Sequence, residues 1–382
     1  MRPKPAISVL IARADRVLII AMIQPVADTL AILTQSLAAD FHVMPLQIPD
    51  APIFMAVAVP KWDGATGLHP RLPAGRGTSL QQTLLTAAAE ALELRASLAQ
   101  NHPEIVEASG ANGSPARVIA HDLLDGQAVP VLAQAVYLDF AARTAEPLLT
   151  DANSTGCAAG ADREDAVLRA LLECIERDAV ALWWYAGHQH PAIALDVMDQ
   201  LQPRLCWWLM GRQRQTRLLD VTTDIGVPVV VAFSFFQNGS AIAIGSAARL
   251  TRAEAALAAL TEMIQTETAM TQAMEAADPG VIDWIARASI QTMPQFQLLA
   301  PATTACAPEM SLPMILQNLG AIGHRALGVD LTLPADPLPT VRVMVPGLCA
   351  MGGRIAAARF ERLTGKAFAG LNLGPDEIFE PF

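Results

Sequence analysis

Apolar residues recur along this chain in two rhythms. Alternating or unbroken runs rich in β-branched and aromatic residues predict strands at Ala6–Ile11, Arg16–Met22, His42–Ile48, Val129–Asp139, Arg217–Val221, Val227–Phe235 and Ser240–Gly245. Helical spacing covers Val26–Ala39, Thr78–Gln100 and Arg163–Tyr185, and a further helix starts near Thr251 and continues past Gln265. Thr78 or Ser79 is placed to cap the second of these. Glycine, proline and polar punctuation predicts loops at Val59–Gly77, Ser109–Ser114 and Asp151–Gly160. Gln237-Asn238-Gly239-Ser240 reads as the turn of a hairpin between two buried strands. Leu333 to Pro346 is proline-rich and precedes a polar, less patterned tail. This alternation predicts an α/β (α+β) fold of Ala-rich helices packed on mixed sheets. Residues 1–58 read as a small N-terminal α/β segment and 59–382 as the main domain.

Composition narrows the picture. Hydrophobic residues make up 52% of the chain, yet no apolar run reaches the roughly 18 residues of a spanning helix. Arg13, Asp15, Arg16 and Asp28 interrupt the oily stretch from Ile7 to Phe41, so neither a transmembrane span nor a signal peptide is expected. The net charge of −11, with no Lys/Arg-rich segment, argues against a nucleic-acid partner. Five cysteines without a C-x-x-C pair read as buried, reduced thiols in a cytoplasmic protein.

The chemistry lies in a weak repetition. Three Ala/Leu-rich helices each carry Ala-x-x-Glu followed three residues later by Glu or Gln: Ala87/Glu90/Glu93, Ala170/Glu173/Glu176 and Ala259/Glu262/Gln265. The i, i+3 spacing sets both polar groups on one face, a turn apart. Their apolar neighbours imply burial, and buried carboxylates demand partners. If the three faces converge, a divalent cation is the simplest partner, and an oxygen-only donor set favours Mg²⁺. The alanine one turn before each Glu would leave room for a ligand. For any single pair, a solvated stripe on an amphipathic helix is the alternative. A di-iron bundle would need Glu-x-x-His, which none of the three has. His188-x-His190 is a further metal candidate with a structural alternative. No P-loop and no G-x-G-x-x-G helix opening occurs, so any ATP must be held by other means.

Asp151-Ala-Asn-Ser-Thr-Gly-Cys-Ala-Ala-Gly160, leading through Ala166 into Ala170-Leu-Leu-Glu-Cys-Ile-Glu-Arg-Asp178, resembles the central motif of the YcaO family. Gly75-Arg76-Gly77, Thr86 and Glu90-Ala-Leu-Glu93 are similar to its upstream elements, and Gly245-Ser246-Ala247 with Glu262-x-x-Gln265 to its third. Val329-Asp-Leu-Thr332 and Val341-Arg-Val-Met-Val-Pro-Gly-Leu348 resemble the segment closing azoline-forming members. The likeness spans roughly Gly75 to Leu348. Departures include Asp165 where a Glu is usual, Ala258 where a basic residue is expected, and Leu94 in place of an Arg.

The resemblance implies an ATP- and Mg²⁺-dependent catalytic domain over 59–382. It gives metal roles to Glu90, Glu93, Glu173 and Glu176, and nucleotide roles to Arg76, Thr86, Asp165, Arg177, Glu262 and Gln265. Arg177 and Glu262 would act as the catalytic groups. It also implies cyclodehydration of Cys, Ser or Thr to azolines in a ribosomally made precursor peptide, with thioamide or amidine formation and a non-catalytic scaffold as alternatives. The expected partners are that peptide, a peptide-recruiting protein, an optional oxidase subunit and further copies or subunits in a complex. About 70 residues before Gly75 leave little room for a docking domain, and the oily strands Ala6–Ile11 and Arg16–Met22 are candidates for a partner interface, with a purely buried core role as the alternative.

Overall fold

The computed structural model describes residues 26–48, 51–61, 72–107, 114–144, 146–150, 152–198, 202–300, 309–352 and 355–368. The strands expected at Ala6–Ile11 and Arg16–Met22 lie outside these residues. A helix across 26–37 opens the described chain. Three strands follow, β1 (Phe41–Leu46), β2 (Phe54–Pro60) and β3 (Ala74–Gly77), which form an antiparallel sheet in that order. β2 runs across residue 58, and β3 lies inside the stretch that reads as loop.

The next strands in chain order are β4 (Arg117–Asp122), β5 (Ala128–Leu132), β6 (Cys157–Ala159), β7 (His190–Ile193), β8 (Gln215–Asp220), β9 (Val229–Phe235) and β10 (Ala243–Ala248). β11 (Leu298–Leu299), β12 (Leu327–Asp330) and β13 (Thr340–Met344) complete the set. They form two five-stranded sheets, ordered β5-β4-β12-β13-β6 and β10-β9-β8-β7-β11. Among these strands of the described residues, the β7–β11 pairing alone is parallel. The sheet that ends in β11 is therefore mixed and the other two are antiparallel, and helices pack on them in an α+β arrangement.

β9 is buried at every position, which explains its unbroken apolar sequence. The expected hairpin forms: Gly239 takes a φ of +83° and Gly239 N–H donates to Phe236 O at 2.7 Å. Val129–Asp139 corrects the reading. The strand ends at Leu132 and the chain turns into a short helix, Ala133–Val136. Buried Gln134 is the reason, since its side chain accepts from Leu149 N–H at 2.9 Å and donates to Glu146 and Pro147 O, drawing the chain away from the sheet edge.

Three long helices carry the acidic motifs: α1 (Leu80–Ser97), α2 (Arg163–Ala186) and α3 (Arg252–Glu275). Asp162 caps α2 by accepting from Asp165 N–H at 2.9 Å, and Thr251 caps α3 through Glu254 N–H. α2 lies between the ends of the two five-stranded sheets, touching β13 and β6 of one and β10 of the other. Its fully buried Leu171, Ile175 and Trp183 contribute about 1.5–3 kcal/mol each by leaving water. α1 packs on β2, β3 and β6, and α3 covers β9 and β10.

The alanines before each Glu do not line a ligand space. Ala87, Ala170 and Ala259 are fully buried. A Cβ on Gly75 would meet Ala87 N at 2.7 Å, and one on Gly245 would meet Ala259 O at 2.3 Å. At these two places glycine on the strand and alanine on the helix let two backbones touch, and the contact sets the depth of Glu90 and Glu262. A fourth helix, α4 (Ala357–Thr364), is tied to α2 by Arg359, whose Nη2 lies 2.6 Å from Asp178 with both side chains buried. No helix among the described residues is long and apolar enough to cross a membrane. Cys157, Cys174, Cys206 and Cys349 are buried, as expected, and Cys306 lies outside the described residues.

Candidate active site

The acidic faces of α1 and α2 are anchored to neighbouring strands and loops through backbone N–H groups. On α1, Glu90 accepts from Ala74 N–H at 3.0 Å and Glu93 from Ala159 N–H at 2.8 Å. On α2, Glu173 accepts from Gly156 N–H at 3.0 Å, so the glycine-containing loop between 152 and 160 orients that carboxylate. Glu176 accepts from Ser246 Oγ at 2.8 Å and from Ala248 N–H at 3.2 Å, both at the end of β10. One oxygen each of Glu90, Glu93 and Glu173 is thus held by the backbone, and the second is left to other partners.

Two arginines enter the same space. Arg76, on β3, forks onto α3: its Nη2 lies 2.6 Å from Glu262 Oε2 and its Nη1 donates to Gln265 Oε1 at 3.0 Å. Arg177 sits 3.5 Å from Glu173 and 3.8 Å from Glu176. The structure therefore brings Arg76, Arg177, Glu262 and Gln265 together with the four expected metal ligands. Thr86 lies one turn before Glu90 with its hydroxyl donating to Gln82 O at 3.0 Å. Asp165 is in the first turn of α2, where it takes up Arg169 Nε and Ala161 N–H, each at 2.9 Å. His188 and His190 stand apart from these groups, with His190 Nδ1 against Asp220 O at 3.1 Å.

The charge balance is uneven. Burial raises the pKa of Glu90, with Ala74 N–H and Arg76 opposing it and Glu173 and Glu262 adding to it. Glu93 is pushed well above the usual carboxylate range, first by burial and then by the charge of Glu90. Burial raises Glu173 and Glu262 as well, against the pull of Arg177 and Arg76 respectively. Burial works against the charge of Arg177, but Glu176, Glu173 and Glu262 outweigh it and raise its pKa. The site holds more negative charge than two arginines neutralise.

A divalent cation fits this donor set. The donors are all oxygen, the excess charge is negative, and free carboxylate oxygens remain on Glu90 and Glu93. In the arrangement present, no three His, Cys, Asp or Glu side chains among the described residues are grouped closely enough to hold an ion. Arg177 instead bridges Glu173 and Glu176.

Sequence reasoning gave no role to Ser246, the hydroxyl that fixes Glu176, nor to Arg249 at the end of the same strand. The signal available was the Gly245-Ser246-Ala247 motif itself: a strand end facing a Glu-bearing helix has only its small polar side chains and its N–H groups to offer.

Fold and site together define a class of protein: an α+β domain whose three helices aim glutamates at arginines, with oxygen donors and no P-loop. The chain belongs to the YcaO family, described as a cyclodehydratase that binds ATP and Mg²⁺, and matches it over residues 113–349. It is therefore a member of a family of ATP- and Mg²⁺-using enzymes.

Among solved structures, a heterocyclase in complex with substrate and cofactor superposes with a TM-score of 0.73 at 19% identity, covering 92% of this chain. The chain spans 57% of that heterocyclase's length. YcaO from Methanopyrus kandleri, bound with AMPPCP and Mg²⁺, gives a TM-score of 0.65 at 21% identity over 86% of this chain and 93% of its own. A chain of the E. coli microcin synthetase McbBCD complex gives 0.60 at 13% identity over 81% and 88%. These likenesses establish a shared fold.

Proposed function

We propose that this chain uses Mg-ATP to activate a backbone amide of a ribosomally made peptide, and that the product is an azoline formed from Cys, Ser or Thr within a multi-subunit synthetase. The observation that carries the reading is the meeting of Glu90, Glu93, Glu173, Glu176 and Glu262 with Arg76 and Arg177 on three helices. Such a site offers a cation-and-phosphate clamp but no nucleophile. It suits a reaction whose nucleophile belongs to the substrate. The side chain of the substrate residue adds to the preceding carbonyl carbon and loses its proton. ATP supplies the phosphoryl group with which the carbonyl oxygen departs as phosphate, leaving ADP. The amide nitrogen loses its proton as the C=N bond forms.

Glu90, Glu93, Glu173 and Glu176 would hold Mg²⁺, while Arg76 and Arg177 would neutralise phosphate charge. Thr86, Asp165, Glu262 and Gln265 would line the nucleotide, with Glu262 and Arg177 nearest the reacting groups. Sulfide or an amine in place of the substrate side chain would give a thioamide or amidine by the same activation.

Partner dependence is part of the proposal. The heterocyclase complex with substrate and the McbBCD assembly support a peptide and companion proteins for this chain. The test incubates purified chain, precursor peptide, Mg-ATP and co-expressed neighbours. Mass spectrometry should show one water lost per ring, and phosphorus NMR should show ADP and phosphate. AMP and pyrophosphate would overturn the phosphoryl-transfer route, and an unmodified peptide with no ATP turnover would leave a scaffold.

A further inference from the structure

The cations of the site are not all used by its carboxylates. Arg76 is paired with Glu262, and Arg177 with Glu173 and Glu176. Arg249 is a third cation at the same place, and it forms no ion pair among the described residues. Its position is fixed by its backbone. Arg249 N–H donates to Pro228 O at 3.1 Å, and the preceding Ala248 N–H donates to Glu176 Oε2 at 3.2 Å. Its guanidinium makes one hydrogen bond, from Nη1 to Ala248 O at 2.7 Å, and the residue is exposed. Burial works against its charge, while Glu176 and Glu262 favour it and Arg76 and Arg169 oppose it.

We propose that Arg249 is an anion-binding residue of this site and that its anion is the polyphosphate of the nucleotide. The proposal rests on the Mg-ATP reading above. Glu176 and Glu262 now hold Arg249 in their field without contact. A divalent cation bound by the acidic pairs would cancel that field, leaving a guanidinium whose only fixed partner is a carbonyl on its own strand. Its remaining N–H donors would then face the site unpaired. A planar fork of donors matches phosphate oxygens two at a time, and a charge-assisted bond of this kind is among the stronger polar contacts. Because the strand end also orients Glu176, one short segment would set a metal-binding carboxylate and a phosphate-binding cation side by side.

Isothermal calorimetry on the full chain tests this, with Mg-ATP and Mg-tripolyphosphate as probes of wild type, Arg249→Ala and Arg249→Lys. The alanine variant should bind both probes about tenfold more weakly, and lysine should recover part of the loss. Ligand-free thermal midpoints should match, since the guanidinium bonds only within its strand. Equal Mg-ATP affinity in wild type and Arg249→Ala overturns the proposal. So does a loss confined to Mg-ATP with tripolyphosphate unaffected, which would place Arg249 against the base or ribose. Failure of wild type itself to bind Mg-ATP would sink the nucleotide reading first, and this proposal with it.

Discussion

Arg76 and Glu262, 186 residues apart in the chain, meet at 2.6 Å, with three-quarters of each side chain removed from solvent. This contact joins the three-stranded sheet to α3, and the same guanidinium reaches Gln265 a turn further on. Removing either partner leaves a half-buried charge facing like charges or none. A double-mutant cycle of Arg76→Ala and Glu262→Ala should give a coupling of roughly 0.5–3 kcal/mol in urea unfolding. Mg-ATP binding should fall in both single variants. Strict additivity would show that the pair is formed without consequence.

The raised carboxylates make stability depend on pH with a particular sign. Glu90, Glu93 and Glu173 take up protons more readily folded than unfolded. In the window between the ordinary carboxylate value and their raised values, the native state binds more protons, so stability rises as pH falls. Asp122 and Asp224 are lowered in spite of burial, by hydrogen bonds from Arg325 and from Arg359 and Arg362, so they act oppositely at more acid pH. The ligand-free thermal midpoint should therefore rise on mild acidification from neutral and then fall. Mg²⁺ should raise it most at neutral pH, where it does not compete with protons. In Glu93→Gln the acid-side rise should shrink. A midpoint that falls steadily from neutral downward contradicts the charge balance described.

Buried charge also ties the far end of the chain to α2. Asp178 and Arg359 are both almost fully excluded from solvent, and Cys349 N–H donates to the same carboxylate at 2.8 Å. Arg359→Met removes the buried counter-ion of Asp178, at about 3–5 kcal/mol of stability. Asp178→Asn combined with Arg359→Met should recover much of that in denaturant titration. Asp178 directly follows Arg177, so nucleotide affinity in the single variant should fall along with stability.

Much of this was legible in the residues themselves. The Ala/Leu/Glu pattern marked α1, α2 and α3, because side chains three apart share a helix face whatever the tertiary setting. The convergence of Glu90, Glu173 and Glu262 followed from burial: carboxylates on oily helices need one another's counter-ions. What stayed hidden depends on long-range contact. Val129–Asp139 has strand-like composition throughout, yet buried Gln134 bends it at Ala133 to reach Leu149. Arg359 reads as one charge in a polar tail, and only the fold shows that its partners are Asp178 and Asp224. Ala87 and Ala259 were visible, but their purpose was not, since it lies in the packing of each helix against a glycine of the strand before it, Gly75 and Gly245.

That glycine–alanine contact supplies a prediction of its own. Gly245 lies against α3 so closely that a Cβ there would stand 2.2 Å from Met263 N and 2.3 Å from Ala259 O. Both are backbone atoms of the helix, so no side-chain rotation relieves the clash and α3 must move outward from β10. Glu262 and Gln265 ride on that helix, and Arg76 reaches them from a different sheet. Gly245→Ala should therefore destabilise the fold by about 1–3 kcal/mol and weaken Mg-ATP binding, because the fork of Arg76 no longer closes on both residues. Gly211 is the matched control: a Cβ there meets nothing within 4 Å and its φ is not positive. Gly211→Ala should be neutral or stabilising by up to about 1 kcal/mol, with binding unchanged. Urea titration and calorimetry on the two variants check both halves. A Gly245→Ala protein that keeps wild-type stability and affinity would show that strand and helix can separate without disturbing the site.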